Sequence, residues 1–288
     1  MLIDLHTHST ASDGTDAPAE VVAQAAVAGL DVVALTDHDT TSGWTAAAQS
    51  AREHGIDLVP GMEISCTASG ISVHLLSYLH DPTYEPLLRE LAHARESRGS
   101  RARRIVERLG VDVPLTWDDV AAVVEDGATV GRPHIADALV VRGVVADRGE
   151  AFARYLYTGS PYYASHYAID VVDAVRLVRE AGGVPVIAHP FAALRGRIIG
   201  ADVIEEMAQA GLAGIEAHHL DHTPQDTRRA VDLAAALGLL VTGSSDFHGD
   251  GKPNRLADRT TSPEALEAIL DEATGSAPIL ARGSSPSR

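Results

Sequence analysis

Of the 288 residues only one, Cys66, is a cysteine. A disulfide framework or a thiolate zinc cluster needs several, so both are excluded, and any metal held here has nitrogen and oxygen donors. Basic charge is also scarce: 23 Lys and Arg stand against 40 Asp and Glu, a formal net charge of −17. Proteins that coat nucleic acid or lie on a membrane surface need a basic face, so stable binding to long nucleic acid is excluded. Long apolar runs are missing too. The stretch VVAQAAVAGLDVVAL is cut by Gln24, Gly29 and Asp31, well short of the roughly 20 apolar residues that span a bilayer. The N-terminal MLIDLHTHS has no basic segment leading into an apolar one, so a cytoplasmic location without membrane association is expected.

Histidine, by contrast, is abundant, with 14 in the chain. It is the commonest metal ligand, so its placement carries information. Short apolar runs bounded by turn residues fall at Leu2 to Leu5, Val32 to Leu35, Leu58 to Met62, Ile71 to Leu76, Val184 to Ala188, Gly214 to Ala217 and Leu239 to Thr242. They read as buried strands. Between most of them lie helical segments at Ala17 to Ala28, Thr41 to His54, Asp170 to Ala181, Ala201 to Ala210 and Pro224 to Leu237, several ending in Gly, and Ser262-Pro263-Glu264 reads as a helix start. The alternation predicts βα units around a parallel sheet. From Asp81 to Gly183 no buried strand is expected; helix-like stretches at Tyr84 to Leu109, Thr116 to Val124, Pro133 to Val141 and Arg148 to Tyr157 predict a helical insertion at 81–183 between barrel segments 1–80 and 184–288. The Ser/Pro/Gly-rich tail 282–288 reads as disordered.

The histidines collect where strands end. His6 and His8 run out of the first strand, and two residues apart on extended chain they project to the same side. Asp37, His38 and Asp39 leave the second strand and Glu63 the third; His74 lies within a strand, His189 leaves another, and Asp246 and His248 leave the last. Reactive groups gather at the carboxyl ends of strands in parallel α/β folds, so these residues should converge on one rim. His54, His80, His93 and His166 read as solvated, whereas His218, His219 and His222 follow a strand and could reach the same rim.

HTHSTASDG at 6–14, TDHDTTSG at 36–43, GMEIS at 61–65, His74, AHP at 188–190 and SDFH at 245–248 resemble, in order, the motifs of the PHP (polymerase and histidinol phosphatase) superfamily of metal-dependent phosphoesterases. The helical insertion and its Gly131-Arg132-Pro133-His134 element are most similar to the stand-alone nucleotide phosphatase branch. The resemblance implies a distorted (β/α)7 barrel with a trinuclear centre. It implies that His6, His8, Glu63 and Asp246 hold one ion, Glu63, His74 and His189 a second, and Asp13, His38 and His248 a third, with Asp4, Asp37 and Asp39 orienting imidazoles. Such ligands suit Mn, Fe or Zn without distinguishing them, and a metal-activated hydroxide would be the nucleophile.

Three divalent ions against the carboxylates of Asp13, Glu63 and Asp246 leave a local surplus of about +3, which suits a phosphate monoester. Arg132 and His134 are the expected catalytic and substrate contacts, Arg132 through a bidentate phosphate contact and His134 by donating a hydrogen bond or protonating the leaving oxygen. His219, Lys252 and Asn254 are further candidates for touching substrate; Arg195 and Arg197 follow the AHP motif at a spacing that departs from the family pattern and receive no role. The expected substrate is a nucleoside 3′,5′-bisphosphate or a nucleoside monophosphate, with short RNA ends as an extension. Histidinol-phosphate phosphatase, a noncatalytic metal-binding module and an amidohydrolase-type enzyme are the competing readings.

Overall fold

A computed structural model describes residues 1–124 and 128–281, apart from the side chain of Arg195. The tail 282–288 lies outside the described residues. The elements follow in the order β1 (Ile3–Asp4), α1 (Pro18–Val27), β2 (Val32–Leu35), α2 (Trp44–His54), β3 (Asp57–Ala68), β4 (Ile71–Tyr78) and α3 (Glu85–Leu109). Then come α4 (Trp117–Ala121), α5 (Arg132–Val141), α6 (Arg148–Ala151) with a π-helical turn over Phe152–Leu156, β5 (Ile169–Asp170) and α7 (Val171–Glu180). The chain finishes with β6 (Val184–Ile187), α8 (Ala201–Ala210), β7 (Gly214–His218), α9 (Pro224–Leu237), β8 (Leu240–Gly243) and α10 (Pro263–Glu272).

Seven strands form a nearly closed barrel-shaped sheet in the order β1-β2-β3-β4-β6-β7-β8, and β5 pairs with β3 off that path. The expectation of a wholly parallel sheet is corrected at β4, which runs antiparallel to both β3 and β6. The cause is local. Ser69 and Gly70 take φ of 48° and 75°, the left-handed pair that closes a two-residue hairpin and returns the chain beside itself. Strand β3 is also longer than its apolar run suggested, because Glu63 to Ala68 pairs along this hairpin. The two-residue β5, too short to leave a periodic signal, lies where no strand was expected.

Helix signals in the sequence act as read. Ser262 caps α10 by accepting the Ala265 N–H at 3.2 Å, and Gly55 closes α2 at φ 68°, a left-handed value that costs glycine little. Four apolar clusters result. Ile3, Val59, Leu76, Tyr78 and Val186 fill the barrel; Ile64, Leu75, Ile187 and Ile215 on the other face of the sheet pack under α7, α8 and α9; Val21, Val33, Ala47 and Leu58 join α1 and α2 to the sheet; and Ile105, Leu109, Ile135, Leu139 and Leu156 lie among α3 to α6. Helix α7, although inside the stretch read as insertion, packs its Val171, Val175 and Val178 against the outer face of the barrel sheet. Among the described residues no helix is long and apolar enough to cross a membrane.

Candidate metal centre

The strand ends bring the nine predicted ligands together. Extended chain after β1 carries His6 and His8 inward, fixed by the His8 N–H bond to Phe247 O at 2.8 Å and by Thr7 Oγ1 donating to Ala34 O at 2.6 Å. His38 leaves β2 and bridges to Glu63 on β3. His74 arrives from the opposite chain direction: antiparallel pairing sets it across from Ser65, so a mid-strand residue reaches the same rim as the strand ends. His189 follows β6, and Asp246 and His248 follow β8.

Their ring nitrogens and carboxylate oxygens form tight, buried groups. His6 Nε2 and His8 Nε2 are 3.0 Å apart; Glu63 Oε2 lies 3.3 and 3.1 Å from them, and Asp246 Oδ1 lies 3.5 Å from both. Around Glu63 Oε1, His74 Nδ1 stands at 2.8 Å and His189 Nε2 at 3.2 Å. Asp13 meets His248 Nε2 at 3.3 Å, His8 Nδ1 at 3.6 Å and His38 Nε2 at 3.8 Å. Ligands about 2.1 Å from one ion lie about 3.0 Å apart at the edges of an octahedron and about 3.4 Å apart in a tetrahedron, the spacing found here. His38 Nδ1 supports the same fit. It is buried and makes no hydrogen bond, although Glu63 Oε2 is 3.3 Å away; a ring nitrogen so placed is left for a cation.

The electrostatics of Glu63, Asp13, His38 and His248 agree. Burial alone would raise the Glu63 carboxyl, but the His74, His6 and His38 rings hold it well below the usual carboxylate range. Asp13 behaves likewise, with His248 and His38 outweighing burial. Burial depresses His38 well below its ordinary value and His248 to about 4, so both keep a lone pair for a cation.

One contributor escaped the sequence reading. Glu216 on β7 is fully buried, and burial works against its charge, yet His6 brings it down to about 2. It accepts from His6 Nδ1 at 3.0 Å and from the His189 N–H at 2.9 Å. Against the opposing effect of burial, Glu63, Glu216 and Asp246 raise His6 well above its ordinary value; with the Nδ1 proton held by Glu216, Nε2, facing Glu63 and Asp246, is the nitrogen from which a cation would displace a proton. A glutamate in the otherwise apolar strand Gly214 to Ala217 was the available signal.

Several expectations need correction. Among the described residues Asp4, Asp37 and Asp39 are not hydrogen-bonded to imidazoles; they hold backbone. Asp4 accepts from Ser245 N and Ala257 N, Asp37 from Ser9 N, and Asp39 from Ser65 N. His80 is not solvated but buried against Trp44, with ring centroids 5.1 Å apart. His222 is a packing residue whose Nδ1 donates to Ala217 O, while His218 faces solvent. His219 Nε2 approaches Asp246 Oδ2 at 3.3 Å, Lys252 Nζ donates to the same oxygen at 2.8 Å, and Asn254 is spent on Ser245 O.

Above the cluster opens a cavity of about 630 Å³, bordered by Asp13, His38, Glu63, His74, His248 and Lys252 on the barrel side. The insertion contributes Arg98, Arg101, Arg132, Phe152 and Tyr157, and His166 also borders it rather than standing in open solvent. Arg132 donates to Leu156 O at 2.9 Å and lies 5.4 Å from the Phe152 ring centroid. Arg101, which sequence reasoning missed, is 9% exposed and gives Nε to Ala164 O; burial, with Arg132 nearby, lowers its pKa to about 9. No carboxylate pairs with Arg101 or Arg132 among the described residues. His166 registers the resulting field: burial, then Arg101, Arg98 and Arg132, push it down to about 3. His134 sits one layer back, where its Nδ1 accepts the Gly131 N–H at 3.1 Å, and it does not border the cavity among the described residues. Arg197 reaches Gly70 O at 2.8 Å, and the Arg195 side chain lies outside the described residues.

The profile described as PHP domain matches residues 4–108. Over 260 residues the chain is 36% identical to the 3′,5′-nucleoside bisphosphate phosphatase of Chromobacterium violaceum, covering 88% of this chain and 89% of that one. It is 33% identical over 247 residues to a 5′-3′ exoribonuclease of Haemophilus influenzae, covering 85% and 89%. A solved structure from Bifidobacterium adolescentis, assigned by inference as a metal-dependent phosphoesterase, superposes with a TM-score of 0.92 at 41% identity, covering 94% and 96%.

Proposed function

The chain belongs to the PHP family and is a metal-dependent phosphoesterase, and on that premise we propose that it removes a phosphate monoester from a small nucleotide. The favoured substrate is a nucleoside 3′,5′-bisphosphate; nucleoside monophosphates and short RNA ends follow. One observation carries the reading: a cavity of about 630 Å³ with the buried His/Asp/Glu cluster on one side and Arg98, Arg101 and Arg132 on another. Anionic groups on a single small ligand can meet both.

His6, His8, Glu63 and Asp246 would hold one divalent ion, Glu63 with His74 and His189 a second, and Asp13 with His38 and His248 a third. Mn, Fe and Zn all suit these donors. Bound there, such ions lower the pKa of water and neutralise phosphate oxygens. The rest falls to the chain. Glu216 keeps the His6 proton on Nδ1. Lys252 fixes the Asp246 carboxylate and lies at the cavity edge, placed to meet a phosphate oxygen. Arg132 presents a planar fork suited to the non-reacting phosphate; Arg98, already bonded to Asp39 at 2.7 Å, adds field rather than a free donor. His134 acts by fixing the start of α5, from which Arg132 projects. His219, held beside Asp246, is a poorer substrate contact than Arg132 or Lys252.

The test is phosphate release from a panel containing pAp, AMP, short dinucleotides and histidinol phosphate, run on protein of measured metal content. Release from pAp ahead of AMP supports the proposal. Preference for dinucleotides would make the chain an exoribonuclease, preference for histidinol phosphate would overturn the nucleotide reading, and no release from any would leave a metal-binding module.

A further inference from the structure

The helical insertion does more than border the cavity: it grips the loop that carries Asp13. Arg148, at the start of α6, pairs with Asp137 of α5 through two parallel contacts, Nε to Oδ1 at 2.5 Å and Nη2 to Oδ2 at 2.7 Å. The pair is largely shielded, its side chains 15% and 28% exposed. With Nε and Nη2 spent on Asp137, Nη1 points across the subdomain boundary and donates to the backbone carbonyl of Asp13 at 3.1 Å. The same Nη1 is lodged against Gly251, where an added Cβ would fall 2.1 Å from it. Gly251 is itself bonded to His248 O at 3.2 Å. One guanidinium thus touches both loops that supply the Asp13–His248 contact of 3.3 Å.

We propose that Arg148, oriented by Asp137, is a positioning residue that sets the affinity of the Asp13, His38 and His248 group for its ion, so that the helical insertion helps to build the metal centre. This rests on the metal-centre reading above. The physical reason is geometric. Asp13 sits in a buried turn rather than on a strand, closed by Ser12 N–H and Gly14 N–H bonds to Ser9 O at 3.0 Å each; unlike His38, which bridges to Glu63, it has no strand pairing. Arg148 supplies the missing restraint. A bidentate pair leaves a planar fork one direction for its remaining N–H groups, which lysine cannot copy.

The test is equilibrium metal binding, read as ion stoichiometry and affinity by chelator competition. It compares wild type with Arg148→Lys, Arg148→Ala, Asp137→Asn and, as reference, Asp13→Ala, with the melting temperature of each chelated protein recorded. Groups that orient ligands are worth about 10- to 100-fold in metal affinity. Arg148→Lys and Asp137→Asn should weaken, by about tenfold or more, the ion that Asp13→Ala loses, while the remaining ions and the chelated melting temperature stay as in wild type. Retention of all ions with wild-type affinity in Arg148→Lys and Arg148→Ala would overturn the proposal. So would uniform weakening of every ion with a lowered chelated melting temperature, because that marks a structural role. A wild-type chain that binds no ion would instead overturn the metal-centre reading itself.

Discussion

Arg132 offers the sharpest test of substrate recognition. It borders the cavity without a carboxylate partner among the described residues, held by its bond to Leu156 O at 2.9 Å and by the Phe152 ring. Hydrogen bonds to a charged group contribute about 1.5–3 kcal/mol each. One Nη already serves Leu156, and the free guanidinium is partly desolvated by burial, so a net loss of about 2–3 kcal/mol is expected on removing its phosphate contact. That corresponds to about 30- to 150-fold. The perturbation is Arg132→Met, with Arg132→Lys keeping the charge but not the fork. The assay is kcat/KM for pAp against AMP on metal-replete protein, with the ratio of the two substrates as the readout. Arg132→Met should cut the pAp value by the stated factor and leave AMP within about threefold, and Arg132→Lys should fall between. Equal losses on both substrates, or none on either, would refute the assignment of Arg132 to the second phosphate.

Three further outcomes follow from the centre and its surroundings. His6→Ala and Asp246→Ala should each abolish phosphate release and lose bound metal, since they form one group with His8 and Glu63 in which Asp246 lies 3.5 Å from both His6 and His8; undiminished turnover would sink the ligand assignment. Glu216→Gln should weaken metal retention about 10- to 100-fold in chelator competition, because the amide no longer enforces the His6 proton on Nδ1; unchanged retention would show that Glu216 is dispensable. His80 should make stability acid-sensitive. Burial lowers its pKa from 6.5 to about 4, so below 6.5 the unfolded chain takes up a proton that the folded chain refuses. Stability then falls as the pH drops from 6.5 through about 4, by about 3 kcal/mol in all. Urea midpoints of wild type and His80→Gln, measured across that range, should converge toward low pH, and parallel curves would show that His80 does not titrate this way.

The barrel and the convergence of the candidate ligands on one rim were legible because both rest on short-range pattern. Apolar runs ending in HxH, TDHD or SDFH state where a strand stops and which side chains follow it. What remained hidden depended on contacts distant in sequence. Glu216 reads as an interruption of a strand until His6, 210 residues away, is placed beside it. Arg98 and Arg101 look like members of a solvated charged helix, since α3 is rich in both signs of charge; only the docking of that helix beside β3 and α7 turns them toward the cavity. The antiparallel course of β4 is written in Ser69-Gly70, a turn signal that the βα reading passed over. His80 and His166 were misread because a loop position says nothing about what later folds over it.

Among the described residues, three of six non-glycine residues with positive φ lie in the rim loops: Asp39 at 54°, His189 at 28° and Asp246 at 53°. Each such conformation costs on the order of 1–3 kcal/mol and persists only where surrounding structure over-determines it. The restraints are visible. Arg95 donates to Asp39 O at 2.5 Å while Arg98 and Ser65 N hold its carboxylate at 2.7 Å each; Glu216 receives the His189 N–H, and His248 Nδ1 donates to Asp246 O at 2.9 Å. Two of these supports, Arg95 and Arg98, come from α3, and Arg148 reaches Asp13 from α6. Barrel strands therefore aim the ligands coarsely, and the final placement of the loops bearing Asp13, His38 and Asp39 depends on arginines from the insertion. On the proposed function, an element that both borders the cavity and restrains the loops bearing the candidate ligands would couple substrate choice to metal retention. Changes in the insertion should then be expected to alter both together, whereas changes on the barrel's outer helices should alter neither.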